Sequence, residues 1–470
     1  MAHWVGFLVR TMVFCAVLVA LAGAAAVGGV LAIANATGHE PRQVMEKAVA
    51  MVRPGSGNYD ALTANIVSLR TEFSAAFAGL EARVAALEEP VRHDRRIEPE
   101  KTSAIVPIQL QLPPMKTAPT TRFGGAITEN QLRKTPIHQP PDFAYTPPAR
   151  PDVCADGCRF QTLAEAYRKV APGGSITLAP GFYPECLVVK KDVLIVGLKG
   201  PNGERAEFDT ACARKGTFVL QGKRFELRGV AIRDIAVRDR NGACVRIDPQ
   251  AGSIRLFDVI CSNSENGVLG ASKGPVFIDS SLFIGNGKGG RAHGIYIGGS
   301  PELVLRNTIV HSSKDGGHTL KSGAERTIVQ NSILAALNGE NSRAIDFYAG
   351  GTLVVTDSVL QQGPNSQNHD FFHLAGESRR LNLSSEHITL IEDSWIVYDH
   401  KPDRCCRWLA TGRRLGPVIF RNNRIVGLNG SRLDGVTMEH NREFKNRAEA
   451  GLGPYTGKLE DLPYPAAWKR

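Results

Sequence analysis

Two sets of polar side chains recur at one fixed interval in the second half of the chain. A step of twenty-five residues links the members of the first set, which are Tyr296, Lys321 and Asp346. The same step links the members of the second set, which are His293, His318 and Arg343. One further step reaches Phe371 from the first set and Asn368 from the second. A fold that stacks successive repeats would place these side chains together as one site.

The chemistry open to such a site is proton transfer beside a carboxylate. Cleavage of a uronate polysaccharide by β-elimination needs a cation against the sugar carboxylate, a base for the C5 proton and an acid for the leaving oxygen. Lys321 or Arg343 could supply the cation, His318 or Lys321 the base, and Tyr296 the acid. An epimerase would begin with the same proton abstraction and return the proton from the other face. The residues alone therefore do not separate a lyase from an epimerase.

Other interpretations of the same residues stay open. Lys321 and Asp346 on adjacent strands could form a cross-strand ion pair. His293 and His318 each adjoin a glycine, where hydrogen bonds that stabilise a turn are common. Two histidines with Asp346 also suit a transition metal, although we expect no cofactor. Hydrolysis or ester cleavage would want a second carboxylate in the column, and the sequence supplies none.

The intervals between these residues contain short predicted strands that are rich in β-branched residues. Typical examples are RNTIVH at Arg306, QNSILA at Gln330 and TDSVLQ at Thr356. Self-similarity with a period of 20 to 50 residues is typical of stacked repeats, and no helical period intervenes. The pattern predicts an all-β fold, a parallel β-helix. The Asn and Asp residues that open these strands should form a structural stack at the turns; they are Asn307, Asn331, Asp357 and Asp393.

Alternation along each strand predicts which side chains face the solvent. Ile295, Leu320 and Ile345 share one parity and should point into the stack. Their neighbours Tyr296, Lys321 and Asp346 have the opposite parity and should point outward, about 5 Å apart per coil.

The folded domain is predicted to begin near Asp152. Residues 160–170, FQTLAEAYRKV, place Leu163, Ala166, Tyr167 and Val170 on one helical face, and strands follow. A helix at this place would close the open end of an apolar solenoid.

These residues resemble the pectate-lyase-like superfamily of right-handed parallel β-helices. The resemblance rests on TLAEAYRKVAPGGSITLAPGFYPE from Thr162, on KDVLIVG from Lys191 and on the strands up to about Gly427. GHTLKSGAE and SRAIDFYAGG also look like a bacterial group of exported β-helix repeat proteins. The resemblance implies a right-handed solenoid with an N-terminal capping helix over residues 152–430. It does not imply one reaction, because the superfamily includes lyases, hydrolases, esterases, epimerases and noncatalytic adhesins.

Three segments of different character precede this domain, and an irregular tail, residues 431–470, follows it. The run TMVFCAVLVALAGAAAVGGVLAIA within residues 1–36 is long enough to cross a bilayer, and we favour a transmembrane anchor over a cleaved signal sequence. Residues 59–91 carry a heptad pattern typical of a short coiled coil, so a homo-oligomer is expected if the coil forms. The alternative is an amphipathic helix. Residues 92–151 are a Pro-rich linker.

Composition and cysteine content bear on the compartment and the partners. The chain has 470 residues, 43% of them hydrophobic, and a formal charge of +10, which suits an acidic polysaccharide or acidic lipid. No basic run with interleaved aromatics occurs, so we expect no nucleic acid. Eight cysteines lie in the predicted domain, an even number that favours disulfides and an oxidising compartment. Cys186 with Cys212 and Cys154 with Cys158 are candidate pairs, and buried free thiols are the alternative.

The sequence thus predicts a cell-envelope β-helix protein, anchored in the bacterial inner membrane, with its β-helix in the periplasm or outside the cell. Its partner would be an acidic (uronate) polysaccharide, bound at Tyr296, Lys321 and Asp346 and modified by C5 proton abstraction. A noncatalytic carbohydrate-binding or scaffold protein is the alternative. The residues do not decide whether the protein is an enzyme.

Overall fold

The computed structural model of the chain describes Leu132 and residues 138–377, 388–400, 409–411, 416–427 and 436–469. The predicted membrane segment, the predicted coiled coil and the adjacent cysteines Cys405 and Cys406 lie outside these residues. Within the described residues, no helix is long and apolar enough to span a membrane.

Short strands dominate the described residues. One α-helix, α1 (Leu163–Lys169), precedes them, and two 3-10 helices, Leu459–Asp461 and Ala466–Lys469, follow them. The strands are β1 (Gly174–Leu178), β2 (Gly181–Tyr183), β3 (Leu187–Val189), β4 (Val193–Gly197), β5 (Ala206–Phe208), β6 (Gly216–Leu220), β7 (Arg224–Arg228), β8 (Val230–Arg233), β9 (Ala243–Ile247), β10 (Ser253–Phe257), β11 (Ile260–Ser262), β12 (Asn266–Gly270), β13 (Val276–Asp279), β14 (Leu282–Ile284), β15 (Ile295–Ile297), β16 (Glu302–Arg306), β17 (Ile309–His311), β18 (Leu320–Ser322), β19 (Arg326–Gln330), β20 (Ile333–Ala335), β21 (Ile345–Phe347), β22 (Thr352–Thr356), β23 (Val359–Gln362), β24 (Phe372–Leu374), β25 (Ile388–Glu392), β26 (Trp395–Tyr398), β27 (Leu409–Thr411), β28 (Val418–Arg421), β29 (Arg424–Val426), β30 (Val436–Glu439) and β31 (Arg442–Phe444).

The strands form three parallel sheets that the chain visits in turn. Sheet A has the order β1-β4-β7-β10-β13-β16-β19-β22-β25-β28-β30, and sheet B has the order β2-β5-β8-β11-β14-β17-β20-β23-β26-β29-β31. Sheet C has the order β3-β6-β9-β12-β15-β18-β21-β24-β27. Because each strand pairs with its equivalent one coil later, the chain is a parallel β-helix, as the sequence predicts. Parallel crossovers of this kind are almost always right-handed.

The core fills the space between the three sheets. Ile295, Leu320, Ile345 and Phe372 occupy equivalent positions on sheet C and are fully buried in it. The predicted inward parity of the first three is therefore confirmed. A single coil cannot bury its own apolar side chains, so each coil is stabilised by packing against the coils on either side of it.

Helix α1 closes the N-terminal end of this core. The Thr162 hydroxyl caps the helix by accepting from the Glu165 amide, and the Glu185 carboxylate accepts from the amides of Leu163 and Ala164. Leu163 and Ala166 are buried against the first coil. The capping helix predicted from the apolar face of residues 160–170 is confirmed.

The turns between sheets A and B repeat one conformation. Asn307, Asn331, Asp357 and Asp393 all have left-handed backbones, with φ of 50, 56, 49 and 51°. Asn and Asp adopt this region more readily than most residues. The Asn331 side chain donates to the Asn307 side chain at 3.0 Å, so the predicted stack at the turns is present.

Segments outside the coils cover two sheet faces. Phe143 packs on Leu194 and Val196 of sheet A. At the other end of the described residues, Leu462 packs on Ile333 and other side chains on the outer face of sheet B. Strands β30 and β31 continue the coil beyond Gly427, where the sequence repeat fades.

Three disulfides join cysteines of the first coils. They are Cys154–Cys158, Cys186–Cys212 and Cys244–Cys261. The first two match the pairs expected from sequence spacing, and the third joins two side chains that are fully buried.

Candidate functional site

The predicted polar column lies on the outer face of sheet C. Strands β15, β18, β21 and β24 are adjacent, and their register pairs Tyr296 with Lys321, Lys321 with Asp346, and Asp346 with His373. Each of these four residues is the middle residue of a three-residue strand whose first and last side chains face the core. We call Tyr296, Lys321, Asp346 and His373 the site row.

The fourth member of the row corrects the sequence prediction. A constant step of twenty-five places Phe371 after Asp346, whereas the coil that follows Asp346 is two residues longer and its partner is His373. Phe372 must pair with Ile345 to fill the core, so burial sets the register rather than a constant residue count. Phe371 is itself buried.

Asp346 is the centre of the site. Its Oδ1 lies 2.6 Å from Nδ1 of His373, and its Oδ2 lies 2.9 Å from Nζ of Lys321 and 3.1 Å from Nε2 of His318. The residue is only 2% exposed. Its carboxylate therefore has three nitrogen partners and almost no contact with solvent.

The partners of Asp346 determine its charge. Burial by itself would raise the pKa of this carboxyl, but the hydrogen bonds from His318 and His373 and the charge of Lys321 outweigh it and hold the pKa well below its ordinary value. Asp346 is therefore ionised at neutral pH. It acts as an acceptor that fixes its neighbours, not as a proton donor.

His293 and His318 lie at the edge of the row and are buried. Their rings stack at 4.9 Å, and the His318 amide donates to Nδ1 of His293 at 3.0 Å. Burial lowers the pKa of both imidazoles, that of His293 most strongly. Nδ1 of His318 is buried without a hydrogen-bond partner. Both rings are therefore neutral. The hydrogen bond between the His318 amide and His293 agrees with the turn-stabilising alternative.

Two tyrosines surround the lysine. Nζ of Lys321 lies 5.5 Å from the ring centre of Tyr296 and 4.8 Å from that of Tyr348. The rings of Tyr296 and Tyr348 meet edge to face with their centres 6.0 Å apart. Burial, with the Tyr296 phenol beside it, raises the pKa of Tyr348. Gly323 gives Tyr348 its space, because a Cβ there would lie 2.3 Å from the Tyr348 hydroxyl.

Arg343 lies beside the row but has its own partner. Its guanidinium donates to Asp370 at 2.9 Å, and both side chains are more than four-fifths buried. Of the six residues predicted from sequence, the structure thus brings Tyr296, Lys321, Asp346, His318 and His293 into one contact network. Arg343 forms a separate ion pair at its border.

Three residues of the site were missed by the sequence analysis: His373, Tyr348 and Asp370. Tyr348 follows Asp346 by two residues, so strand parity could have indicated it. The lengthened coil hid the equivalence of His373 and Asp346. Across the described ranges, no group of three or more histidine, cysteine or acidic side chains is arranged to hold a metal ion.

Comparisons with known proteins give matches to solved structures alone. No family model matches the chain, and no curated protein matches it. The crystal structure of pectate lyase Pel9A matches with a TM-score of 0.37 and 15% identity, over 63% of this chain and 76% of that one. The A-module of mannuronan C-5 epimerase AlgE6 from Azotobacter vinelandii matches with 0.31 and 12%, over 60% and 93%. Pectin methylesterase PemA from Erwinia chrysanthemi matches with 0.30 and 11%, over 67% and 97%.

These similarities concern the fold, which the sheet order establishes independently. By its sheet order, the chain is a parallel β-helix.

Proposed function

We propose that the chain binds an acidic, uronate-containing polysaccharide across sheet C and abstracts the C5 proton of one sugar unit, as a lyase or as an epimerase. One observation carries this proposal: the buried carboxylate of Asp346 binds His373 through one oxygen and Lys321 through the other. An anion-held imidazole beside an ammonium is the combination that proton abstraction next to a carboxylate requires.

His373 is the base in this proposal. Its Nδ1 is held by Asp346, so in the neutral ring Nε2 carries the free lone pair. The side chain of His373 is 21% exposed, compared with 8% for His318. His318 also directs its Nε2 at Asp346, so it positions the carboxylate while His373 faces the substrate.

Lys321 neutralises the sugar carboxylate. The ammonium has three N–H donors, of which Asp346 accepts one. The remaining donors can reach an anion placed over the row. Because this interaction strengthens as negative charge spreads from C5 into the carboxylate, it favours the transition state over the ground state.

Tyr296 is the acid. It is more exposed than Tyr348, which is buried and keeps its own proton because burial raises its pKa. The edge-to-face contact with Tyr348 supports the Tyr296 ring in the row.

The two reactions share their first half. His373 takes the C5 proton, and the C–H electron pair moves into the sugar carboxylate. In a lyase the electrons return to form the C4–C5 double bond, the C4–O bond breaks, and Tyr296 protonates the leaving oxygen. In an epimerase Tyr296 returns a proton to C5 from the opposite face, and no bond to oxygen breaks.

A noncatalytic carbohydrate-binding or scaffold role is the second candidate. It is favoured by the ion pairs of the site: Lys321 already has Asp346 as partner and Arg343 has Asp370. Cations paired in this way fit a static recognition surface as well as a reacting one. In either case we also propose that residues 1–36 anchor the chain in the bacterial inner membrane and that the β-helix lies in the periplasm or outside the cell.

Incubation of the protein with alginate, pectate and glycosaminoglycans tests the proposal. The ultraviolet absorbance of an unsaturated uronate reports a lyase, and exchange of deuterium from solvent into C5 reports proton abstraction by an epimerase. Lys321→Ala should abolish either signal. Binding of a polysaccharide without absorbance or exchange would leave the noncatalytic role, and the absence of all binding would refute both.

A further inference from the structure

The outward row of sheet C continues beyond the site row to Arg246, an arginine whose Nε has no hydrogen-bond partner. The register pairs Tyr296 with Leu269, and Leu269 with Arg246. Arg246 therefore lies two strands from Tyr296 and three from Lys321. With about 4.8 Å between neighbouring strands, Arg246 and Lys321 are about 14 Å apart along the face.

Arg246 differs from other partly buried arginines of the described chain in having no carboxylate within ion-pair distance, and Asp248 interacts with its charge only at longer range. Its Nε is buried and has no hydrogen-bond partner. The acidic side chain nearest in its own strand, Asp248, already binds Lys215 at 2.9 Å and Gln221 at 2.7 Å. Partly buried arginines elsewhere form ion pairs, which are Arg205–Asp258, Arg228–Glu226, Arg306–Asp279, Arg343–Asp370 and Arg447–Asp399.

A desolvated guanidinium N–H without an acceptor is unfavourable until an acceptor arrives. The fork of N–H donors matches a carboxylate in a bidentate geometry. Nε itself is covered by the protein, so an anionic group from outside would bind at the exposed part of the partly buried Arg246 side chain. The chemistry of Arg246 selects a carboxylate ligand.

The surface between Arg246 and Lys321 suits a sugar chain. Tyr296 is partly exposed and presents a ring face on which the C–H face of a sugar ring can rest, whereas Leu269, between Tyr296 and Arg246 in the row, is buried. The positions two residues after Leu269 and Tyr296 are Ala271 and Gly298, whose small size leaves the surface low there, whereas Tyr348 occupies the space over Gly323. Around Gly299 the space is open, because a Cβ there would meet no atom within 4 Å.

We infer that Arg246 is a distal subsite that binds the carboxylate of a second uronate unit in the same polysaccharide. This inference rests on the proposed function, because it takes the reacting unit to lie over Lys321 and His373. Three strand spacings exceed the length of one sugar ring, so the two carboxylates belong to units that are not adjacent. The protein then prefers polymers and long oligomers with repeated carboxylates over short ones.

Isothermal titration of the full-length protein with oligogalacturonates and oligomannuronates of defined length tests the subsite. Arg246→Gln removes the charge and retains a side chain of similar length. We expect hexamers to bind about 10- to 100-fold more weakly to this variant, the loss expected for one hydrogen-bonded charge. Trimers, which occupy the site row alone, should bind as they do to the wild type. Arg246→Lys, which keeps the charge without the fork, should lie between the two.

Arg233→Gln is the matched control, since Arg233 is exposed on sheet B and pairs with Asp234. It should leave both affinities unchanged. Equal hexamer affinity in wild type and Arg246→Gln would overturn the subsite and leave the proposed function standing. An equal loss for trimers and hexamers, with a lowered melting temperature, would also overturn it, because Arg246 would then act through the fold. Failure of the wild type to bind these oligomers and also alginate, pectate and glycosaminoglycans would refute the proposed function itself.

Discussion

Asp346 and His373 make the shortest polar contact of the site row, 2.6 Å between Oδ1 and Nδ1, across the neighbouring strands β21 and β24. The other oxygen of the same carboxylate receives both Lys321 and His318. One buried anion thus fixes the orientation of three nitrogen-bearing side chains. Replacing the anion and replacing each partner should have different, separable consequences.

Replacement of His373 should affect turnover and leave binding unchanged. His373→Gln keeps a side chain that can donate to Asp346 but removes the basic Nε2. We expect the rate of C5 proton exchange or of double-bond formation to fall by about 10²- to 10⁴-fold, the usual contribution of a general base. The affinity for the polysaccharide, measured by titration, should stay within a factor of a few.

His311→Gln is the control for this variant. His311 lies on sheet B, away from the row, and contacts Ser312. Its replacement should leave turnover unchanged. If His373→Gln retained full turnover, the base would have to be another group of the site.

Replacement of Asp346 should destabilise the fold. Asp346→Asn leaves the Lys321 ammonium, whose side chain is 15% exposed, without its counter-charge, and breaking a largely buried ion pair costs up to about 3 to 5 kcal/mol. Asp315→Asn is the control, because Asp315 is exposed and its ion pair with Lys288 is worth about 0 to 1 kcal/mol. Urea unfolding of both variants at pH 7 measures the difference.

The stabilising effect of Asp346 also depends on pH. Its pKa is lowered in the folded protein, so its contribution is complete above the unfolded value of about 4 and declines as the pH falls from there toward the folded pKa. The gap in unfolding free energy between wild type and Asp346→Asn should therefore narrow below about pH 4. A gap that stayed constant down to pH 2.5 would show that the carboxyl titrates alike in both states.

The two tyrosines should separate into an acid and its support. Tyr296→Phe removes the proposed proton donor and should lower turnover about 10²- to 10⁴-fold. Tyr348→Phe keeps the ring that packs on Tyr296 and removes only the hydroxyl, so it should lower turnover by about tenfold or less, the effect of about 1 kcal/mol. Initial rates on the same polysaccharide compare the variants. A larger loss in Tyr348→Phe than in Tyr296→Phe would reverse the two roles.

The sequence predicted the outward column correctly as far as Asp346, because strand parity and the apolar residues Ile295, Leu320 and Ile345 constrain it. It failed at the next coil, where the number of residues in a turn changes without effect on the core. The sequence indicated the ion pair between Lys321 and Asp346 only as one alternative, because the formation of an ion pair depends on side-chain rotamers. The absence of an ion pair at Arg246 among the described residues could not be predicted, because sequence spacing does not show which charges remain unpaired.

The buried histidines should make stability fall as the solution becomes acidic. Burial lowers the pKa of His293 in the folded protein, and the neighbouring His318 and Lys321 lower it further against the opposite effect of Asp346. Below about pH 6.5 the unfolded chain binds a proton at this position and the folded chain does not, so stability decreases as the pH falls.

His293→Asn removes this titration and keeps an acceptor for the His318 amide, which in the wild type donates to Nδ1 of His293. The loss of unfolding free energy between pH 7 and pH 5 should then be smaller in the variant by up to about 1.4 kcal/mol per pH unit. Urea unfolding across this range measures it, and equal slopes for the two proteins would mean that His293 takes up its proton equally in the folded state.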